Sequence, residues 1–84
     1  MEWAVLRFSA ERARWVSAEK WHPKQRTRVD DDGRFILEIP YADHRELIMD
    51  ILKFGKDVEV LAPPVLRKRV AAEARELIKF YSKD

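Results

Sequence analysis

Arginine side chains are the groups in this sequence most suited to binding chemistry. Four of them fall on or beside predicted strands: Arg7, Arg26, Arg28 and Arg34. A guanidinium binds phosphate and carboxylate oxygens through parallel hydrogen bonds, so several on one surface suit an anion such as a nucleic-acid backbone. The stretch 20–28 adds two lysines, a tryptophan and a histidine, without an acid. That composition suits backbone contacts with base stacking, or, equally, an ordinary solvated loop and edge strand.

Groups for catalysis or metal binding form no recognisable pattern. The chain has no cysteine, which excludes a disulfide, a thiolate zinc site and a cysteine nucleophile. The histidines, His22 and His44, lack metal-ligand spacing, and a hairpin turn explains the acidic run 30–32. Both glycines are needed for turns, so no glycine-rich phosphate loop can form. We expect no enzymatic activity, no resident cofactor and no metal.

Length and composition indicate one small domain over residues 1–84. The chain has 84 residues, 17 basic and 15 acidic, with 46% hydrophobic residues. This composition is globular, and the net charge of +2 is low for a dedicated DNA-binding domain. No apolar run approaches the roughly 18 residues of a membrane span, and Glu2 and Arg7 interrupt any signal-peptide pattern. We expect a cytoplasmic protein with no membrane contact.

The hydrophobic pattern predicts four strands and three helices. Strands are expected over 2–8, 24–29, 34–41 and 57–61. Helices are expected over 10–19, from Asp43 to the residue before Gly55, and over 65–81. Ser9 and Asp43 are suited to cap the first two helices. This order, βαββαβ with an additional C-terminal helix, predicts an α+β ferredoxin-like sandwich with strand order 4-1-3-2.

Strand alternation assigns the two faces of that sheet. The inner face is predicted to hold Leu6, Phe8, Val29, Phe35, Leu37, Ile39, Val58 and Val60. The open face would hold Glu38, the four arginines and the apolar residues Trp3, Val5 and Ile36, which are candidates for a dimer or domain interface. The C-terminal helix, a neighbouring domain or a second copy could cover this face, or its arginines could bind an anion. The two interpretations are compatible if the face is partly covered.

Several segments together resemble a known family. They are Leu-Arg-Phe-Ser-Ala-Glu-Arg-Ala-Arg-Trp-Val (6–16), Trp-His-Pro-Lys-Gln (21–25), Asp-Gly-Arg-Phe (32–35) and Phe-Gly-Lys-Asp-Val-Glu-Val-Leu-Ala-Pro-Pro-Val-Leu-Arg (54–67). In this order they resemble the C-terminal extension, called WCX, of bacterial WYL-domain transcriptional regulators. Arg7, His22, Pro23, Gln25 and Gly55 match the family pattern, and Arg7 is the position most suited to function.

The resemblance implies a ferredoxin-like fold, a homodimer and a part in effector sensing, with a nucleotide or oligonucleotide as the effector. It also implies partner domains, a winged helix-turn-helix and a WYL domain, on the N-terminal side. Neither is present in these residues, so we expect the chain to be part of a longer regulator. Operator DNA would be bound only through the missing domain.

Two alternatives remain open at the level of the sequence. One is a free-standing ferredoxin-like module for an anionic effector, whether nucleotide, oligonucleotide or amino acid. The other is an amino-acid-binding domain of the ACT type. That second type ordinarily has a glycine in the loop after the first strand, where this chain has Phe8-Ser9-Ala10.

Overall fold

A computed structural model describes residues 2–82 of the chain. Four strands form one antiparallel sheet: β1 (Glu2–Phe8), β2 (Arg26–Val29), β3 (Phe35–Tyr41) and β4 (Val58–Ala62). The spatial order is β2-β3-β1-β4, which confirms the predicted order and the ferredoxin-like α+β fold. The helices are α1 (Ala10–Val16), α2 (His44–Lys53) and α3 (Pro64–Ile78), with a 3₁₀ turn, Gly55–Asp57, before β4. None of these helices, within residues 2–82, is long and apolar enough to cross a bilayer.

Local sequence explains where these elements begin and end. The Ser9 hydroxyl accepts a hydrogen bond from the Arg12 backbone N–H at the start of α1. The Asp43 carboxylate does the same for Arg45 at the start of α2. In the β2–β3 hairpin, Asp30 Oδ1 accepts from the backbone N–H of both Asp32 and Arg34. Gly33 follows with φ +81°, a left-handed conformation that favours glycine.

The core lies between one face of the sheet and the helices. Its fully buried residues include Leu6, Phe8 and Leu37 from the central strands, Ile51 from α2 and Leu66 from α3. Phe8 is its aromatic centre, with the ring centroids of Phe54, Trp21 and Phe35 at 5.3, 5.8 and 6.3 Å. Edge-to-face geometry of this kind is favourable beyond the area buried.

Val29 lies on the inner face of the sheet, as alternation predicts, but the expectation that it is part of the core is wrong. Val29 pairs with the buried Phe35 but is 65% exposed. β2 is a four-residue edge strand with every residue exposed, because the helical layer does not extend over it. Trp15, on α1, is likewise 56% exposed.

The C-terminal helix α3 contacts β4 and α2. Leu66, in its first turn, belongs to the core shared by the sheet and the helices. The helix is therefore on the helical side of the sheet, and it does not cover the open face. Its distal end and the turn that follows it are exposed, with Leu77, Ile78, Phe80 and Tyr81 all more than half accessible.

Candidate functional site

Charged and apolar side chains alternate across the open face of the sheet. The strand register places Arg28, Ile36, Arg7 and Glu59 in one row across β2, β3, β1 and β4. Neighbouring strands lie about 4.8 Å apart, so the Cα atoms of Arg7 and Arg28 are about 10 Å apart, with Ile36 between them. Ile36 is 2% exposed although it faces away from the main core.

Glu59 holds two arginines from different elements. Its Oε1 accepts from Arg7 Nη2 at 2.6 Å, and its Oε2 accepts from Arg67 Nη1 at 2.9 Å. Arg67 Nη1 also donates to the Val60 carbonyl at 2.8 Å. Hydrogen bonds from Arg67 and then Arg7 hold the pKa of the Glu59 carboxyl below its ordinary value. The arrangement fastens the first turn of α3 to β4 and fixes the direction of the Arg7 side chain.

The β2 arginines also have partners on this face. The Arg26 guanidinium carbon lies 4.8 Å from the centre of the Trp3 ring, a cation–π contact. Arg28 Nε is 4.0 Å from Glu38 Oε2. On the open face, Arg7 and Arg28 are therefore paired with carboxylates, and Arg26 contacts an aromatic ring. Arg26 and Arg28 do not line the cleft described next.

A cleft of about 210 Å³ opens at the end of β1. It brings Arg7 together with Arg34, which follows the hairpin turn, and with Lys56 from the 3₁₀ turn. Within residues 2–82, Arg34 forms no ion pair with a carboxylate. Two of the four predicted arginines thus share a cleft, and Lys56 is a third cation that sequence reasoning missed.

Asp57 organises the wall of this cleft. Its Oδ1 accepts from the Ser9 hydroxyl at 3.2 Å, and its Oδ2 lies 3.4 Å from Arg12 Nη2. The Asp57 carbonyl also accepts from the Ser9 backbone N–H at 2.9 Å. Desolvation acts to raise the pKa of Asp57, but the Ser9 hydrogen bond and the Lys56 charge outweigh it and lower that pKa. The start of α1 and the start of β4 are thereby tied together beside Arg7.

The segment 21–25 is a self-bonded loop and does not form a stacking platform. Gln25 Oε1 accepts from the backbone N–H of Trp21 at 2.6 Å and of His22 at 3.1 Å. His22 Nδ1 accepts from the Lys24 backbone N–H at 3.0 Å. The Trp21 ring stacks on Phe54 at 5.7 Å, so it is committed to the edge of the core. These contacts explain Gln25 and His22 as structural residues.

The predicted interface residues differ in how accessible they are. Trp3 and Val5 are half-buried on the open face, as alternation predicts, and Ile36 is buried. Ile36 therefore contributes little surface of its own to any contact on this face. The interface assignment of Trp3, Val5 and Ile36 stays a prediction.

This geometry suits anion binding at the end of the sheet. Arg7, Arg34 and Lys56 converge there, while Glu59 and Asp57 limit the net positive charge. Sequence reasoning also missed Glu59 and Arg67. The role of Glu59 follows from the pairing of β1 with β4, and that of Arg67 from its hydrogen bond to Glu59. The signal available in the sequence was Glu59 itself, a single charged residue between apolar neighbours in β4. Among the residues that the structure describes, no cluster of histidine and acidic side chains could hold a metal ion.

Comparison with known families gives one match. A family model described as the WCX domain matches residues 1–78. The match spans every strand and helix described above. No curated protein matches the chain at a significant level.

Proposed function

Because the chain belongs to the WCX domain family, we propose that it is the C-terminal regulatory module of a bacterial WYL-type transcriptional regulator. In this proposal the longer polypeptide carries a winged helix-turn-helix and a WYL domain on the N-terminal side. The module contributes self-association and effector sensing, and operator DNA is bound through the helix-turn-helix alone. Its role is regulatory and not catalytic.

The effector we propose is an anion, either a nucleotide or a short single-stranded oligonucleotide. The observation that supports this is the convergence of Arg7, Arg34 and Lys56 on one cleft. Arg7 is already directed by Glu59, and Arg34 has no carboxylate partner in the described part of the chain. A phosphate in the cleft would replace Glu59 as a partner of Arg7 and gain charge-assisted hydrogen bonds from the other cations.

Direct titration of the chain with a labelled oligothymidylate tests this proposal. We expect Arg7→Ala combined with Arg34→Ala to weaken binding at least about tenfold. The slope of log affinity against log salt should also fall by about 1.4, the value for two lost phosphate contacts on a single strand. The matched control, Arg45→Ala combined with Arg75→Ala, removes the same charge from the helices.

Two results would contradict the anionic effector. One is the absence of oligonucleotide and nucleotide binding by the parent chain at low salt. The other is an equal loss of affinity in both double variants, which would show that only the overall charge matters. The alternative, a free-standing module for an anionic effector, uses the same cleft and predicts the same titration. A winged helix-turn-helix and a WYL segment encoded upstream in the same reading frame would favour the regulator over this alternative.

A further inference from the structure

Apolar residues continue along the core-facing side of α3 beyond the part of the helix that contacts the core. Leu66 is fully buried, Val70 is half-buried, and Leu77 and Tyr81 on the same side are 52% and 77% exposed. Residues three or four positions apart share one side of a helix. A helix that packed only within this domain would become polar on that side once it left the sheet. Here Leu77 is an exposed apolar residue on that side near the end of the helix at Ile78, and Tyr81 follows in the next turn. We take this as an indication of a second packing partner.

A groove between α2 and α3 lies beside this stripe. It has a volume of about 510 Å³, and Ile48, Leu52, Ala72 and Met49 supply its apolar surface, with Met49 72% exposed. On α3 the positions 69, 72, 73 and 76 follow one line along the helix, which ends at Ile78. Phe80, 77% exposed, lies in the turn that follows the helix, where its backbone N–H donates to the Leu77 carbonyl at 3.1 Å. This turn places Phe80 beyond the α3 end of the groove. Ala72 in the groove is small and Phe80 beyond it is large, so the two are complementary in shape.

The exposed apolar area around the end of α3 is near the upper end of the range for the largest apolar patch on a monomer. Leu77, Ile78, Phe80 and Tyr81 are 52, 56, 77 and 77% exposed, which corresponds to on the order of 500 Å² of side-chain surface. Apolar patches of this size are often functional. With Met49 and Leu52 of the groove, the surface approaches the roughly 800 Å² per partner of a stable interface.

We propose that two copies of this chain pair through α3, antiparallel about a two-fold axis. Phe80 of each copy fills the α2–α3 groove of the other copy at Ala72. The same register places Lys79 of one copy opposite Glu73 of the other, so shape and charge complementarity agree. The axis falls at Glu76, whose carboxylate is already paired with Lys79 of its own chain at 3.1 Å. Because both copies use the same surface, the contact closes as a dimer.

This inference rests on the self-association in the proposed function. It assigns the dimer contact to α2 and α3, on the helix-covered side of the sheet. The open sheet face offers a weaker surface: Ile36 is 2% exposed, and the Trp3 ring is covered by Arg26 at 4.8 Å. The anion cleft and this groove share no lining residue, so the two surfaces can be occupied together.

Sedimentation velocity tests the α3 interface over about 1–200 μM, where interfaces of this size are measurable. We expect Leu77→Ser combined with Phe80→Ser to weaken dimerisation about 100-fold. Val65→Ser is the matched control, since Val65 is on the same helix and 53% exposed but outside the paired region. It should change the dissociation constant by less than about twofold. The replaced side chains are all exposed, so thermal unfolding of the monomer should be little changed.

Charge exchange tests the register itself. Glu73→Lys alone and Lys79→Glu alone should each weaken the dimer about tenfold, and the two together in one chain should restore it. If the serine substitutions at Leu77 and Phe80 leave the dimer unchanged but Trp3→Ser combined with Val5→Ser abolishes it, the α3 interface is overturned and self-association is retained. A strictly monomeric chain would overturn both the α3 interface and self-association. The anion-binding proposal is tested separately by its own titration.

Discussion

Arg7 on β1 reaches across the strand pairing to Glu59 on β4 with a nitrogen–oxygen distance of 2.6 Å. The same carboxylate binds Arg67 at 2.9 Å through its other oxygen. Glu59 therefore both positions Arg7 and competes with any anion that approaches it. It also links the proposed ligand cleft to the first turn of α3.

Glu59→Gln should increase the affinity of the cleft for an oligonucleotide. The amide keeps an acceptor for one arginine but removes the charge that competes with phosphate. We expect about two- to fivefold tighter binding, corresponding to the energy of a partly exposed ion pair, measured by fluorescence anisotropy. Glu38→Gln removes an acid from the same face beside Arg28 and should have a smaller effect. Equal gains in the two variants would contradict a specific role of Glu59.

The stability of the fold should fall in acid, partly through Glu59. The pKa of Glu59 is lower in the folded chain than its ordinary value of 4.5, so its ionised form favours folding. This contribution is complete above about pH 4.5 and is lost as the pH falls through the lower folded value. In urea unfolding between pH 7 and about pH 3, Glu59→Gln should lose less stability than the parent does.

The size of this acid effect should be small. The carboxyl side chain is 45% exposed, so its ion pairs contribute no more than about 1 kcal/mol at neutral pH. Asp43 and Asp57 also have lowered pKa values and keep part of the acid sensitivity in the variant. A parent and a variant with identical pH dependence would show that Glu59 is not stabilised by its arginines in solution.

Phe8→Ala should destabilise the fold by about 3–5 kcal/mol, the cost of removing a fully buried aromatic side chain. Phe8 is 0% exposed and contacts Phe54, Trp21 and Phe35. Urea unfolding followed by tryptophan fluorescence measures the loss. Phe8→Leu keeps most of the volume and provides a measurable variant if the alanine form does not fold. Trp15→Ala, the exposed control, should cost less than about 1 kcal/mol.

Gln25→Ala should release the loop that holds Trp21. Gln25 Oε1 accepts two backbone hydrogen bonds, and their loss leaves both donors without that partner. We expect a cost of about 1–3 kcal/mol and a red shift of tryptophan emission as Trp21 separates from Phe54. Gln25→Glu retains an acceptor and should be milder. Lys24→Ala, a neighbouring exposed position, should leave the emission unchanged.

Gly33→Ala should destabilise the β2–β3 hairpin through backbone conformation alone. Gly33 has φ +81°, and a Cβ there would lie an ordinary 3.7 Å from the Ala10 Cβ. The expected cost is about 1–2 kcal/mol, the penalty for a left-handed conformation with a side chain, measured by thermal or urea unfolding. Gly33→Asn should be tolerated better, because asparagine adopts this conformation more readily. An alanine variant as stable as the parent would contradict the turn conformation.

The fold was predictable because local signals and alternation agree along most of the chain. Ser9, Asp43 and Gly33 mark boundaries through chemistry confined to a few residues. The alternation in β1 places Leu6 and Phe8 inward with no knowledge of the partner strands. Val29 shows where this reasoning fails. Alternation gives the direction of a side chain, but burial depends on how far the helical layer extends over an edge strand.

The candidate site was predictable only in part, because it depends on contacts between distant segments. Arg7 was expected on the open face, but its partner Glu59 is 52 positions away and is set by the pairing of β1 with β4. Trp21 was grouped with the basic residues around it. The structure instead stacks it on Phe54, a contact that no local pattern indicates.

The strand order also constrains how the chain assembles. The β2–β3 hairpin closes over a short turn, whereas β1, the first strand of the domain, needs β3 and then β4 to complete its pairing. Long loops must close before such distant pairings are favourable, and this slows folding. During synthesis β1 therefore keeps one unpaired edge until residue 62 has left the ribosome. Within this domain the first strand to be made is among the last to be protected, and a chain arrested before β4 would expose an apolar edge to aggregation.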